Sequence, residues 1–476
     1  MDRDARRDGA RRPPAIALHA SPLLSRAASG ARSFLHRRRH PAQLIVIAFA
    51  AAILVGTVLL MLPFARAGPE SAPPLTALFT ATSAVCVTGL IVVDTPTYWS
   101  PAGHGIILAL IQAGGLGIMT LASLLALLLA RRLGLRGRLV AQAERGVTDV
   151  ADVRRVVVGV VVLSAVFETL AATVLTARLW LSYDLSFGAA LWRGVFHAIS
   201  AFNNAGFALW NDSLVGFVGD GWIILTVGIA IIAGGLGFPV WFELSRRVHD
   251  PRRWTLHTKL TLGTAAFLLS FGIVAVAIFE WENARTMGTL DTKGKLLASF
   301  FQGVTPRTAG FNSIDYGQAE PETLLVTDML MFVGAGSAST GGGIKVTTFA
   351  LIFLMIWSEV RGDPHVNAFG RRVPPFAQRQ ALTVAVIAIN AVVLATLGLM
   401  ATTGFSLEQT LFEALSAFGT VGLSTGITPE LDGVGRLIII ALMFLGRTGP
   451  YTLFVALALR ERERLYRYPE ERPLIG

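Results

Sequence analysis

The stretch FHAISAFNNAGF at residues 196–207 decides the fold, because three other segments of the chain align with it without gaps. They are FTATSAVCVTGL at 79–90, FFQGVTPRTAGF at 300–311 and FEALSAFGTVGL at 412–423. Each starts with Phe and carries a glycine ten residues later, followed by Leu or Phe. The glycines are Gly89, Gly206, Gly310 and Gly422, spaced 117, 104 and 112 residues apart. Recurrence at a nearly fixed distance predicts four internal repeats.

The sequence around these segments is strongly apolar. Hydrophobic residues make up 53% of the 476 residues and charged residues only 15%, against about 25% in soluble proteins. Several apolar runs are long enough to cross a hydrocarbon core of roughly 30 Å, and Glu168 and Arg447 are the single charges within two of them. The runs are residues 44–62, 105–130, 156–175, 222–242, 262–279, 381–400 and 437–457. The chain is therefore predicted to be an all-α integral membrane protein.

Each aligned segment is too short to span the membrane and lies between two segments that can. The repeat unit is therefore a span, a half-helix, a loop and a second span, which gives eight full spans around a central pore. The basic loops 131–155, 246–259 and 361–379 predict the cytoplasmic side, so the four repeats are parallel. We expect a multi-pass plasma-membrane protein with both termini cytoplasmic. The predicted parts are a basic tail at 1–41, repeats at 42–130, 154–245, 257–358 and 379–460, and a C-terminal tail at 461–476.

The four loops predict a binding site for a bare monovalent cation. Irregular backbone at membrane depth is tolerated where it is buried or lines water, and a ring of carbonyl oxygens can replace the hydration shell of an ion. Each half-helix would direct its negative C-terminal end towards the ion. The loops contain no ring of acidic side chains, so divalent selectivity is not expected. The predicted filter residues are Val87, Thr88, Gly89, Asn204, Ala205, Gly206, Thr308, Ala309, Gly310, Thr420, Val421 and Gly422. For any one glycine taken alone, a simple turn is the alternative.

The second span of the third repeat is interrupted by small and polar residues. Glycine is a poor helix former, so the run at 334–343 is expected to be buried or to face water. A kinked helix without a special function is the alternative. In the fourth repeat, Arg447 lies in mid-span, where a charge is costly and indicates function. A cation there would repel a permeating cation, so Arg447 is predicted to be part of a gate.

These motifs resemble the Trk/Ktr/HKT superfamily of potassium transporters, and within it most closely the membrane subunit of the Ktr branch. The resemblance rests on the four loops, the run GSASTGGGIK at 336–345, GRTGP at 446–450 and the C-terminal tail, and covers about residues 42–476. It implies potassium uptake, often sodium-dependent, by a homodimer that is regulated by a cytosolic nucleotide-binding ring. It also implies an intramembrane gating loop, hereafter the gating segment, formed by Gly336, Ser337, Ala338, Ser339, Thr340, Gly341, Gly342 and Gly343. Lys345, at its end, either joins the gate or is an interfacial lysine.

The sequence also bears on three other functions: nucleotide or nucleic-acid binding, catalysis and coupled ion transport. The chain has no Gly-x-x-x-x-Gly-Lys-Ser/Thr motif and no Gly-x-Gly-x-x-Gly after a strand, so no cofactor is expected in this chain and a nucleotide would act through a partner. The net charge of +10 is assigned to cytoplasmic loops rather than to nucleic-acid binding. The scattered histidines argue against an enzyme. A carrier coupled to sodium or protons would need an intramembrane carboxylate, for which Glu168 is the candidate. His197, Asn203 and Glu413 are expected to brace the loops, and Asp328 to be solvated.

Overall fold

A computed structural model describes residues 41–132 and 150–449 of the chain. The two predicted tails, at 1–41 and 461–476, fall outside these residues except for Pro41. So do most of the basic loop at 131–155 and the end of the fourth repeat. Within the described ranges the backbone is helical apart from connecting loops and one two-stranded hairpin.

A long helix, a short helix and a further helix follow one another four times along the chain. The helices are α1 (Pro41–Leu60), α2 (Pro74–Val85), α3 (Thr95–Tyr98), α4 (Pro101–Arg132), α5 (Val150–Ser182), α6 (Phe187–Phe202), α7 (Gly221–Leu236), α8 (Phe238–Arg247), α9 (Leu256–Glu280), α10 (Thr292–Val304), α11 (Pro321–Phe332), α12 (Val346–Val360), α13 (Pro375–Thr402), α14 (Leu407–Gly419) and α15 (Gly433–Thr448). Strands β1 (Asn367–Ala368) and β2 (Arg371–Arg372) pair antiparallel.

Three described helices are long and apolar enough to cross a membrane by themselves, judged by length and composition. They comprise Val156–Ser182 of α5, Leu256–Glu280 and Pro375–Thr402. The pair α7 and α8 is a fourth if it is counted as one bent span. By length and composition, the described helices thus include segments that can cross a membrane.

The four short helices α2, α6, α10 and α14 start where the sequence supplies caps. The side chains of Ser186, Asp291 and Ser406 accept hydrogen bonds from backbone N–H groups in the first turn of α6, α10 and α14, which satisfies donors that a helix start leaves free. Helix α2 begins with Pro74 at its first position, where the missing N–H costs nothing. Each short helix packs against the long helix that precedes it.

Phenylalanine anchors the short helices in the interior. The opening Phe of three aligned segments is fully buried, namely Phe79, Phe196 and Phe412, and in the remaining segment the buried ring belongs to Phe301. A buried aromatic ring removes a large apolar area from its surroundings and fixes the helix by shape. The buried ring lies ten residues before the glycine in three segments and nine before it in the third, so each short helix is anchored at a similar distance from its glycine.

Two of the predicted spans are broken in the structure. The run at 222–242 bends by 96° between α7 and α8, at Gly237, whose φ of 90° is unfavourable for other residues. In the third repeat, α11 ends at Phe332 and α12 begins at Val346, with a parallel bridge between Val333 and Ile344 closing the segment between them. The sequence predicts 222–242 as one apolar run long enough to cross the membrane, and the structure adds a sharp bend within it.

Asp328 also differs from the prediction. We expected a solvated side chain, but Asp328 lies in α11 and is only 6% exposed. The hydropathy pattern could not show this, because the burial of Asp328 comes from the packing of α11 against α9 and α14, while the exposed positions of this helix are taken by apolar residues such as Leu325 and Met329.

Candidate ion pathway

The structure brings the four filter glycines into one closed ring. A Cβ atom added to Gly89 would lie 2.6 Å from the carbonyl oxygen of Ala205. The same relation continues from Gly206 to Ala309, from Gly310 to Val421 and from Gly422 back to Thr88, at 2.9, 2.3 and 2.1 Å. Each glycine thus lies against the carbonyl that precedes the next glycine. Loops more than one hundred residues apart in sequence meet around a single axis.

The backbone conformation explains why glycine recurs at these positions. All four glycines have positive φ, between 70° and 97°, and the close carbonyl leaves no room for a side chain. The residue two positions earlier also has positive φ in each loop, with values from 50° to 78° at Val87, Asn204, Thr308 and Thr420. Positive φ is uncommon for residues other than glycine and is strained for a β-branched one. Strain of this kind clusters at functional sites.

Hydroxyl groups of the short helices hold the loops in this conformation. Ser83 Oγ accepts from the N–H of Gly89 at 3.1 Å, and Ser416 Oγ accepts from the N–H of Gly422 at 3.0 Å. Ser200 donates to the carbonyl of Phe207 at 2.8 Å, and Thr305 donates to that of Phe311. These hydrogen bonds use N–H groups and carbonyls beside the ring. None of them involves the carbonyls that face the next glycine of the ring.

The gating segment lies directly against the filter residues. A Cβ on Gly341 would be 2.1 Å from Thr308 Oγ1, and one on Gly342 would be 2.3 Å from Thr420 Oγ1. The amide of Asn204 lies 3.1 Å from Thr340 Oγ1 and 3.2 Å from Thr308 Oγ1. The glycines of this segment therefore permit a backbone approach that larger residues would prevent.

Backbone hydrogen bonds fix the gating segment to the bend between α7 and α8. The N–H of Gly336 donates to the carbonyl of Gly235 at 2.8 Å, and that of Thr340 donates to Gly234 at 3.3 Å. In the opposite direction, the N–H of Phe238 donates to Ala338 at 3.2 Å. The break between α7 and α8 in the second repeat thus binds the backbone of the interrupted span in the third repeat. This pairing was not predicted, because glycines at 234, 235 and 237 in an apolar run are also compatible with close helix packing.

Arg447 connects the gating segment to two other parts of the chain. Its guanidinium is buried and donates to the carbonyl of Thr340 and, at 2.8 Å, to the carbonyl of Gly114 in α4. Lys345 Nζ donates to the carbonyl of Gly341 at 2.5 Å. Two cationic side chains, those of Arg447 and Lys345, therefore hold the gating segment by hydrogen bonds to its backbone.

Arg307 lies just before Thr308 in the third loop. It is buried and donates to the carbonyl of Ala265 in α9 at 3.0 Å and to that of Gly334 at 3.4 Å. Hydrogen bonds to the ionised form of a buried side chain are needed to offset its desolvation. Arg307 consequently joins the third loop to the start of the interrupted span. The sequence feature that could have pointed to this role is the position of Arg307 three residues before the glycine of its loop, Gly310.

The glycine clusters that follow three of the loops serve close packing. A Cβ on Gly114 would be 2.0 Å from the carbonyl of Val85, and Gly234 and Gly446 have the same relation to Phe202 and Phe418, at 1.8 and 1.9 Å. Each of these carbonyls lies at or near the end of a short helix. Small residues allow helices in membranes to approach closely, and here they seat the second helix of a repeat on the end of its short helix.

Two polar residues of the short helices brace the segments that follow the filter, as the sequence predicts. His197 Nε2 accepts from the N–H of Leu209 at 3.1 Å, and its ring stacks on Trp210 at 3.9 Å between centroids. Glu413 accepts from Ser424 Oγ at 2.8 Å and from Thr428 Oγ1. Both side chains are buried and fully engaged with the protein.

A cavity of about 280 Å³ opens on one side of the glycine ring. The ring glycines form its floor, and Asp94, Asp212 and Asp315 are part of its wall. Negative charge around a cleft raises the local concentration of cations. Within the described residues, no group of three or more His, Cys, Asp or Glu side chains could hold a metal ion. The cavity therefore connects the space bounded by these carboxylates with the ring glycines.

The chain matches the family model described as "TrkH: Cation transport protein" over residues 15–468. It is 42% identical over 436 residues to the "Ktr system potassium uptake protein B" of Bacillus subtilis, covering 92% of this chain and 97% of that protein. The protein of the same description from Vibrio alginolyticus is 40% identical over 435 residues, covering 91% and 94%. The "Potassium/sodium uptake protein NtpJ" of Enterococcus hirae is 37% identical over 448 residues, covering 93% and 98%.

A solved structure shares the fold at much lower sequence identity. The crystal structure of the potassium transporter TrkH from Vibrio parahaemolyticus superimposes with a TM-score of 0.68 at 18% identity, covering 89% of this chain and 86% of that chain. At this identity the similarity concerns the fold and not the function. It agrees with a mostly helical membrane architecture.

Proposed function

Because the chain belongs to the TrkH family of cation transport proteins, we propose that it takes up potassium ions across the plasma membrane. The proposed path runs through a pore lined by the four loops, with eight spans in four parallel repeats around it. One observation carries this proposal: the four filter glycines close into a ring in which each glycine lies against the carbonyl preceding the next. The similar proteins described as Ktr potassium uptake proteins support the choice of ion.

The ion site is proposed at the backbone oxygens of the filter residues. The carbonyls of Thr88, Ala205, Ala309 and Val421 come from residues with three different side chains, so the backbone is the feature shared all around the ring. Carbonyl dipoles can replace water around a potassium ion without adding a fixed negative charge. The absence of acidic side chains among the twelve filter residues favours a monovalent over a divalent cation.

The gate is proposed at the gating segment together with Lys345 and Arg447. The proposal is supported by the close approach of Gly341 and Gly342 to the side chains of Thr308 and Thr420 in the proposed filter. The cationic groups of Arg447 and Lys345 add a barrier to a permeating cation, because like charges repel strongly where water is scarce. Opening requires the segment to move, and the hydrogen bonds of these two side chains resist that movement.

Partners are proposed from the family. A second copy of the chain, forming a homodimer, and a cytosolic nucleotide-binding ring fit the Ktr systems to which the similar proteins belong. Sodium is proposed as an activating or accompanying ion, in agreement with the potassium/sodium description of the relative from Enterococcus hirae. The short hairpin of β1 and β2 and the basic residues near it, such as Arg361 and Arg379, would lie on the cytoplasmic side with both termini.

The direct test is potassium uptake by the chain in a defined membrane. The full-length protein is reconstituted into vesicles, and the uptake of rubidium, as a potassium tracer, is followed with and without competing potassium, sodium or calcium. The proposal expects uptake that potassium competes with strongly, sodium weakly and calcium hardly at all. Uptake that sodium and potassium compete with equally would contradict a potassium filter, and no uptake under any condition would contradict the function.

A further inference from the structure

A half-buried polar group connects two repeats beside the second filter loop. It consists of Gln112 in α4, Glu168 in α5 and Asn203, the residue at which α6 ends. Gln112 Nε2 donates to the two carboxylate oxygens of Glu168 at 3.0 and 3.1 Å. Asn203 Nδ2 donates to Glu168 Oε1 at 3.1 Å and to Gln112 Oε1 at 2.7 Å. We call these three side chains the carboxamide–carboxylate triad.

The triad acts on the filter through Asn203. This residue precedes the filter residue Asn204 and is completely buried. Its Nδ2 also donates to the carbonyl of Ile199 at 2.9 Å, within the last turn of α6. On its other side, a Cβ on Gly115 would lie 1.8 Å from Asn203 Oδ1, so the amide is confined from two directions. Movement of Glu168 would therefore be transmitted to the backbone that begins the second loop.

The hydrogen bonds explain how a carboxylate is tolerated in the middle of a membrane helix. A charge in this position is costly unless it is paired or hydrogen-bonded. Here two carboxamides donate to it, and both are fixed by their own partners. The carboxylate oxygens therefore already have donors from the protein, which differs from a site that exchanges ions.

The third loop has an anchor at the corresponding position. Arg307 and Asn203 both lie three residues before their filter glycine. Arg307 donates to the carbonyl of Ala265 in α9, and Asn203 donates to Glu168 in α5. Helices α5 and α9 are the first long helices of their respective repeats. Two loops of different sequence are thus tied to the same helix of the repeat by side chains at the same position.

We propose that Glu168 is a positioning residue for the second filter loop, acting through Asn203 and contributing to potassium preference without contacting the ion. This inference rests on the proposed function. It assigns to Glu168 a role distinct from that of an ion-coupling carboxylate, since its oxygens are occupied by the amides of the triad. The role predicts that hydrogen-bond acceptance at residue 168 matters and that its negative charge matters much less.

The test compares Glu168→Gln with Glu168→Ala in the full-length protein. Glutamine keeps one acceptor oxygen at this place, whereas alanine leaves two buried amides without it. We expect Glu168→Ala to reduce the preference for potassium over sodium by about three- to tenfold, the range for losing one or two buried hydrogen bonds. Glu168→Gln should stay within about twofold of the wild type, because the remaining bonds preserve the loop. Thr169→Val, an exposed neighbour on the same helix, should change nothing.

Two further measurements keep the outcome clear. Gln112→Leu removes one donor to Glu168 and retains Asn203, so it should reduce the preference for potassium over sodium by less than Glu168→Ala does. It provides a second measurement of the same effect if the alanine variant folds poorly. Sodium activation and the pH profile of uptake between pH 6 and 8 are measured for Glu168→Gln. Both should match the wild type, because the proposed role involves no ion or proton at residue 168.

The inference is overturned if Glu168→Gln abolishes sodium activation or changes the pH profile while potassium preference is retained, since Glu168 would then be a coupling group. It is also overturned if Glu168→Ala and Gln112→Leu both keep full preference. A wild-type protein that takes up no potassium would refute the proposed function instead. In that case melting temperatures decide the triad: Glu168→Ala and Asn203→Ala must be non-additive for the contact to stand.

Discussion

Arg447 is the residue on which the proposed gate depends most. It comes from α15, yet its guanidinium binds carbonyls of the gating segment and of α4, so one side chain joins three repeats. A guanidinium without a carboxylate is unusual in the interior. Its hydrogen bonds go to backbone carbonyls, so no carboxylate in the described part of the chain offsets its positive charge.

Replacement of Arg447 by glutamine should open the gate. Glutamine is too short to reach both carbonyls and carries no charge. We expect uptake by the membrane subunit alone to rise about tenfold, which corresponds to the loss of one charge-assisted hydrogen bond of ~1.5 kcal/mol from the closed state. The measurement is rubidium uptake in vesicles at equal protein content. Arg436→Gln, at the opposite end of α15, serves as the control, and a decrease in uptake by Arg447→Gln would contradict the gate.

Asp220 gives a prediction that depends on pH. It precedes α7 and accepts from Arg178 Nε at 2.8 Å, from Tyr183 Oη at 2.9 Å and from the N–H of Trp222 at 2.9 Å. Burial by itself raises the pKa of this carboxyl, but the hydrogen bonds from Arg178, Tyr183 and Trp222 outweigh it and the pKa is lowered. The folded state thus binds the proton more weakly than the unfolded state, whose pKa is about 3.9.

The stabilisation from Asp220 should therefore be present above the unfolded-state pKa and be lost as the pH falls below it. At pH 7.5 we expect Asp220→Asn to melt roughly 1–3 °C below the wild type, since partly exposed pairs contribute little. The difference should persist down to about pH 4 and narrow as the pH falls further towards the folded-state pKa. Melting curves of the purified protein at several pH values test this, and a constant difference would show that the ionised carboxylate is not the cause.

At the scale of elements, the decisive feature is that two second spans are interrupted and held against each other. The bend at Gly237 exposes the carbonyls and N–H groups of Gly234, Gly235 and Phe238, and those groups bind the gating segment. Backbone groups freed by a helix break in a membrane must find partners inside the protein. Here the two breaks supply partners for one another.

Gly237→Ala should destabilise this pair of elements. Its φ of 90° and ψ of 149° belong to a region that only glycine adopts easily, and the added Cβ would lie 2.6 Å from the carbonyl of Ser337. We expect a fall in melting temperature of a few degrees, from a cost of about 1–3 kcal/mol. Gly263→Ala in α9 is the matched control, because an added Cβ there meets nothing within 4 Å. Equal melting temperatures for the two variants would refute the role of the bend.

A structural feature could be predicted from the sequence where a short stretch of residues encodes it. The four loops recur as Phe and Gly at fixed spacing, and the interruption at 334–343 shows as five glycines in a span, so both were predicted. The bend at Gly237 was missed, because the glycines at 234, 235 and 237 are also compatible with a straight helix that packs closely on a neighbour. The partners of Arg447 and Glu168 were not predictable, because Thr340, Gly114 and Gln112 lie far away in sequence and no periodicity relates them.

At the scale of the whole molecule, the chain builds a ring from four unequal quarters. The third loop contains Pro306 and Arg307, the fourth lacks a side chain at Gly419, and the first has Cys86 at the corresponding place. Unequal loops allow one quarter to carry the gating segment and another to carry the triad, while the backbone ring remains common to all four. This division agrees with a single permeation path whose controls are distributed among the repeats.

The central claim is that the ion passes through the ring of glycines, and Gly310→Ser tests it most directly. A Cβ at residue 310 would lie 2.3 Å from the carbonyl of Val421 and 3.2 Å from the Cα of Gly206, so the ring must distort. The measurement is competition between potassium and sodium for rubidium uptake, at equal membrane abundance, with Gly263→Ser as control. We predict that Gly310→Ser lowers the preference for potassium about tenfold or more, equivalent to ~1.4 kcal/mol, while Gly263→Ser retains it. Unchanged uptake and preference in Gly310→Ser would show that the glycines are structural turns and that potassium takes another path.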